Sequence, residues 1–107
     1  MNKSIILTGS NGLIGSFLKE SLPEYGYNVV GYDIDTNLRD EEVVHKLMNS
    51  NDSYYLINTF AINDHLNKAK YNNSNPLTSE IKVFNDFLDV NVSSLYSVCR
   101  QFIKSRS

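Results

Sequence analysis

The 107 residues predict an α/β domain of three layers, a parallel sheet of about three to four strands with helices on both faces. Three observations carry this expectation. Short apolar runs of strand length recur along the chain: Ile5-Ile6-Leu7, Val29-Val30-Gly31-Tyr32 and Tyr54-Tyr55-Leu56-Ile57. Stretches of helical period separate them. The first run also ends on a glycine-rich turn, Thr8-Gly9-Ser10-Asn11-Gly12, that leads directly into helical spacing. With 41% hydrophobic residues, a chain of 107 suffices for one core and one domain, taken here as residues 1–107.

Taken in order, Ile5-Ile6-Leu7 reads as a buried first strand. Leu13, Ile14, Phe17, Leu18 and Leu22 then fall at helical spacing, with Pro23 and Gly26 as the stop. Val29 to Tyr32 forms the second strand, ending on Asp33-Ile34-Asp35. Asp40 is placed to cap a second helix, since Glu41 and Glu42 gather where a helix N-terminus favours acids and Val43, Val44, Leu47 and Met48 follow. That helix should end near residues 49–52. Tyr54 to Ile57 is the third strand, closing on Asn58-Thr59, and residues 60–77, with Lys68, Lys70 and Pro76, read as a long loop. From Thr78 or Ser79 the pattern is helical again, with Ile81, Phe84, Leu88, Leu95, Val98 and Phe102 spaced by threes, fours and one seven. The midpoint of the seven is Asn91, so an amide interrupts an apolar stripe.

Charge and cysteine content narrow the classes. Ten Lys and Arg against twelve Asp and Glu give a net charge of −2, which argues against an electrostatic grip on nucleic acid or on anionic lipid. No run approaches the roughly 18 apolar residues of a membrane span, and the opening Met1 to Gly9 is too short for a secretory leader. Cys99 alone cannot form an internal disulfide and suits a reducing, cytoplasmic setting. No metal site is expected.

The glycine turn points to a ligand. Gly9, Gly12 and Gly15 stand at i, i+3 and i+6 between a strand and a helix: the first for a sharp turn, the second for close approach of a phosphate, the third for tight packing of helix on strand. The free N–H groups and dipole of the helix start would bind a pyrophosphate. No Gly-Lys-Ser/Thr follows, which excludes the nucleoside-triphosphate loop. Asp33 lies 18 residues beyond Gly15 at the end of the second strand, where an acid accepts hydrogen bonds from an adenosine ribose. A carboxylate there repels a 2′-phosphate, so NAD is favoured over NADP. Methyltransferases binding S-adenosylmethionine also pair a glycine turn with an acid, but they compress the glycines into G-x-G-x-G.

With these residues in place, the chain resembles the short-chain dehydrogenase/reductase family, Rossmann-fold oxidoreductases that use NAD or NADP. Thr8 to Gly15 is similar to the family's cofactor loop, in the spacing of its extended, sugar-nucleotide-modifying members, and Asp33 matches the NAD-type acid. Asn58-Thr59-Phe60-Ala61 resembles the family's Asn-Asn-Ala-Gly segment, with Thr59 and Ile62 in place of the second Asn and the Gly. Asp89-Val90-Asn91-Val92-Ser93 resembles the helix whose Asn completes the Asn-Ser-Tyr-Lys catalytic set. Asn37-Leu38-Arg39-Asp40 resembles the stretch whose first residues contact adenine, with only six residues between Asp33 and Asp40 where most members fit a helix and a third strand, which implies that the intervening helix is deleted.

The resemblance implies roles. Gly9, Ser10, Asn11, Gly12, Leu13 and Ile14 would hold the pyrophosphate, Asp33 the ribose, and Asn37 and Leu38 the adenine, with Asn58 and Ala61 beside the adenosine; Asn91 would be the one catalytic residue present. The residues four positions after the seven tyrosines are Val29, Gly31, Thr36, Asn58, Thr59, Asn75 and Arg100, so the family's Tyr-x-x-x-Lys is missing. The match covers nearly the whole chain but about the first half of a typical member, and neither the catalytic Ser nor the Tyr and Lys are included. The expectation is an oxidoreductase fold acting on a carbinol or carbonyl, here as a cofactor-binding fragment without turnover of its own. A non-catalytic dinucleotide-binding module or a remnant is the alternative, and a methyltransferase fragment ranks below both. The strand at Tyr54 to Ile57 would be an apolar edge open to self-association.

Overall fold

The computed structural model describes residues 2–33, 36–60 and 81–107. Three strands, β1 (Ser4–Thr8), β2 (Asn28–Tyr32) and β3 (Tyr55–Asn58), form one parallel sheet in the order β2-β1-β3. β1 is central: Ile6 pairs with Val30 on one side and with Leu56 on the other. Its position explains its composition, because a strand covered on both faces reads as a continuous apolar run, and Ile5, Ile6 and Leu7 are all buried.

The strand order sets the helices. The chain leaves β1, forms α1 (Leu13–Ser21) and returns beside β1 as β2; it then forms α2 (Glu41–Ser50) and crosses to the opposite side of β1 as β3. Two right-handed crossovers in opposite directions put α1 and α2 on opposite faces. The Rossmann-like three-layer arrangement expected from the sequence is therefore present, at three strands. Asp40 caps α2 as expected, its side chain accepting from the Glu42 N–H at 2.9 Å. Pro23 opens a single 3-10 turn over Leu22–Tyr25, and Gly26, at φ +87°, ends it in the left-handed region. Past β2, Thr36 N–H donates to the Asp33 carbonyl at 2.7 Å, and among the described residues no strand pairs with the outer edge of β2.

The last segment is one helical run of three parts: α3 (Ile81–Leu88), a π-helical turn over Asp89–Ser94, and α4 (Leu95–Ser105). The core lies between this run, α2 and one face of the sheet, with Ile6, Val44, Leu47, Met48 and Val98 buried against Tyr32, Leu56, Phe60 and Phe102. The two apolar stripes expected of the helices are only partly interior. Val98 is buried, but Ile81 is 71% exposed and Leu88 and Leu95 remain substantially accessible. On α1, Phe17 is 68% exposed and Gly15 is the buried residue. Periodicity marks the apolar face of a helix without specifying what packs on it. Among the described residues no helix is long and apolar enough to cross a membrane. Ala61, Asp35, the loop from residue 61 with Lys68 and Lys70, and the helix start at Thr78 or Ser79 lie outside the described residues.

Arg106 locks the end of α4 to the rest. Its guanidinium donates to the Ser53 carbonyl at 2.9 Å, the Met48 carbonyl at 2.6 Å and the Asn51 carbonyl at 2.7 Å, and stacks 4.6 Å from the Phe102 ring centroid. Met48 and Asn51 sit at the end of α2, where carbonyls lack intrahelical partners. Arg106→Ala strips three carbonyls of a charged donor and is expected to destabilise the fold by roughly 2–4 kcal/mol in urea unfolding. Arg106→Lys should recover only part of this, since one ammonium lacks the planar fork that reaches three separate carbonyls.

Candidate functional site

The three glycines meet at the end of β1. Gly9 adopts φ +70°, and a Cβ there would stand 2.7 Å from backbone atoms of Thr59 and Phe60. Thr59 fixes the turn from the neighbouring strand, its hydroxyl donating to the Thr8 carbonyl at 2.7 Å and to the Gly9 carbonyl at 3.1 Å. Gly12 N–H then donates to the Gly9 carbonyl at 3.0 Å, closing the turn. A Cβ on Gly15 would lie 1.9 Å from the same Gly9 oxygen, so α1 can start where it does only because residue 15 has no side chain. Gly12 is different. A Cβ there meets only the Gly9 oxygen, at 3.3 Å, and the fold does not require a glycine at that point as it does at 15.

The loop is also tied to β2. Ser10 is buried, and its N–H donates to the Tyr32 carbonyl at 3.2 Å. A Cβ on Gly31 would come within 2.8 Å of the Ser10 side chain, so the glycine in the second strand makes room for the loop. Sequence reasoning took Gly31 only as part of a strand; a glycine inside a strand signals close approach of another backbone, and that signal was available. Thr59 likewise entered only as a departure from the Asn-Asn-Ala-Gly pattern, although its hydroxyl clamps the turn.

Asp33, next after β2, reaches the loop: its Oδ2 accepts from the Asn11 N–H at 2.6 Å. The acid and the glycine turn, separated by 22 positions in sequence, therefore form one site. Beside them the start of α1 is open. Its N-cap, Gly12, provides no side-chain cap, and no acid stands in the first turn. Helix geometry leaves the N–H groups of Leu13, Ile14 and Gly15 without intrahelical acceptors, a partial positive charge suited to an anion. Leu13, 89% exposed, and Ile14 flank this opening. The arrangement thus offers donors for a phosphate next to a carboxylate that can accept from hydroxyls, and the bare Gly12 leaves room for the phosphate to approach the backbone.

The remaining expected site residues fall into two groups. Asn37 is exposed, and its side-chain oxygen accepts from the Arg39 N–H at 3.1 Å and shapes the local turn. Leu38, expected on the adenine side, has its side chain in the core with Val44, Leu47 and Met48, so a ligand there would meet its main chain. Asn58 stands at the end of β3 as expected, yet its amide turns inward, accepting from the Thr8 hydroxyl at 2.9 Å and donating to Cys99 Sγ at 3.5 Å. It is a bridge from β1 to α4. Asn91 is half-buried within the π-turn. The amide that interrupts the apolar spacing thus coincides with an interruption of the α-helical backbone.

A family model for the NAD dependent epimerase/dehydratase family matches residues 5–96. Among solved structures, a dTDP-4-dehydrorhamnose reductase from Bacillus anthracis str. Ames, in complex with NADP, superposes with a TM-score of 0.71 at 19% identity, covering 92% of this chain and 31% of that one. A short-chain dehydrogenase/reductase superfamily protein from Agrobacterium tumefaciens with bound NAD gives a TM-score of 0.69 at 17% identity, covering 95% of this chain and 29% of that one. The chain thus spans about three tenths of the length of these structures. No curated protein sequence matches it.

The glycine geometry predicts a graded response to alanine. Gly15→Ala forces a Cβ into a backbone oxygen and should lower stability by at least about 2 kcal/mol, whereas Gly12→Ala should cost less than about 1 kcal/mol. Thermal unfolding of the two variants checks the order, and equal losses would show that α1 does not sit against Gly9 as described.

Proposed function

The chain belongs to the NAD dependent epimerase/dehydratase family, and on that premise we propose that its glycine turn and Asp33 hold the adenosine-diphosphate half of a nicotinamide dinucleotide. The observation that carries this reading is the 2.6 Å hydrogen bond from Asn11 N–H to the Asp33 carboxylate, which puts the acid at the edge of the phosphate-accepting turn. A pyrophosphate would take the N–H groups of Leu13 and Ile14 and neutralise the dipole of α1, while the ribose hydroxyls would donate to Asp33. Asn37 and the main chain of Leu38 would border the adenine, with a short wall because the turn at Asp33 leads straight to α2. The nicotinamide, when bound, supplies the hydride donor or acceptor for a carbinol or carbonyl carbon.

Two refinements go with the proposal. Asp33 favours NAD over NADP, because its carboxylate would face a 2′-phosphate at close range. The substrate class is a sugar or nucleotide-sugar, supported by the glycine spacing and by the dTDP-4-dehydrorhamnose reductase among the similar structures. None of the seven tyrosines has Lys four positions on, so these 107 residues are expected to bind the dinucleotide without turning over substrate. The setting is the cytoplasm, where Cys99 stays a thiol. β3 pairs only with β1 among the described residues and has Tyr54 exposed at its start, so self-association through this edge belongs to the same reading.

Calorimetric titration tests the site. NADH is expected to bind more tightly than NADPH, and Asp33→Ala should weaken NADH by roughly 10- to 100-fold, the loss of charge-assisted hydrogen bonds. Equal affinity of Asp33→Ala and the unaltered protein for NADH would overturn the assignment, and binding of S-adenosylmethionine with none of NADH would replace it with the methyltransferase reading.

A further inference from the structure

Arg39 was not among the residues expected to act, yet its side chain links two parts of the candidate site. It lies in the turn bearing Asn37 and Leu38, and its N–H is held by the Asn37 side-chain oxygen at 3.1 Å. Its guanidinium extends away from this turn to the long C-terminal helical run. Nε donates to Asp89 Oδ2 at 2.8 Å, and Nη2 bonds both to that oxygen and to Asp86 Oδ1. The neighbouring Asp89 and Asp86 raise the pKa of Arg39, so its charge is fixed at any working pH. Two carboxylates, Asp86 and Asp89, share this one guanidinium and offset its charge.

The far end of this contact is a special place in the helix. Asp89 is the first residue of the π-turn, its carbonyl accepts from the Ser94 hydroxyl at 2.8 Å, and Asn91 lies two residues further on. A π-turn holds one more residue than the corresponding α-turn and bonds less favourably, so the same residues have a competing α register. Moving between the registers would rotate residues on one side of the turn relative to those on the other, changing where Asn91 points. The side chain that pins the first residue of the turn therefore favours one register. Leu38, buried in the core beside Arg39, gives that pin a rigid base.

We propose that Arg39 is a positioning residue that ties the adenine-side turn to the π-turn, so that occupancy of the dinucleotide site and the register presenting Asn91 are coupled. This rests on the dinucleotide reading above. A ligand that orders Asn37 and Leu38 orders the peptide from which Arg39 extends, and through Asp89 it stabilises the π-turn. Asp86 provides the second carboxylate that directs the guanidinium along the helix.

Hydrogen–deuterium exchange on the whole chain, with and without NADH, separates the possibilities. In the unaltered protein NADH is expected to slow exchange at residues 9–15 and also at 89–94. In Arg39→Gln exchange at 89–94 should rise about tenfold without ligand, and NADH should still protect 9–15 while no longer protecting 89–94. Arg39→Lys, which keeps the charge without the fork, should restore part of the coupling, and a structural support alone would not remove the ligand dependence selectively. Asp89→Asn, at a partly exposed surface position, should reproduce Arg39→Gln and serves if that variant folds poorly. Protection of 89–94 by NADH that persists in both variants, or protection of 9–15 with none at 89–94 in the unaltered protein, overturns the coupling. Absence of protection at 9–15 in the unaltered protein overturns the dinucleotide reading and the coupling with it.

Discussion

The absence of one atom, the Cβ of residue 15, determines where the first helix starts. With a Cβ placed 1.9 Å from the Gly9 oxygen, α1 could not begin directly on the end of β1. Because it does, the unpaired N–H groups of its first turn sit at the carboxyl end of the central strand, next to the loop that Asp33 reaches. Every other feature of the site supports that approach. Gly9 turns the chain through the left-handed region, Thr59 secures both carbonyls at the turn from β3, and Gly31 makes room for Ser10 on the β2 side. The loop is thus fastened to all three strands, which lets a short segment without regular structure hold its donors in fixed positions.

Much of this was legible in the residues. Glycine spacing, the acid after the second strand and the Asp40 cap each follow from local chemistry, and each appears where the sequence places it. The harder cases depended on what lies across a strand or beyond a helix. Whether Asn58 faces a ligand or the interior follows from pairing parity: it is in register with Thr8, whose hydroxyl it accepts, and no local pattern reports that register. Leu38 was read through its neighbours in a motif, while its own chemistry, an apolar side chain one residue before a charged one, fits the core that α2 closes. The apolar spacing of α1 gave the helix but not what packs on it, and Phe17 stays largely exposed, because spacing alone does not supply a partner surface.

The helical run after residue 80 shows the same division. Its period was clear, and the seven-residue step at Asn91 marked an irregularity, but the π-turn that resolves it is a property of backbone bonding. Arg39 escaped notice for a related reason. Its acids lie 47 and 50 positions away, and only the fold brings the turn after β2 against the start of the π-turn. Contacts of that range carry little local signature, yet here they connect the turn expected to border adenine with the helix that bears Asn91.

The central claim is that the glycine turn and Asp33 form one dinucleotide site. Amide chemical shifts of the isotopically labelled chain, followed by NMR during addition of NADH, test it most directly. The account predicts saturable shifts concentrated at Asn11, Gly12, Leu13, Ile14 and Gly15 and at Asp33. Shifts confined to other parts of the surface, or none at millimolar NADH, would contradict it.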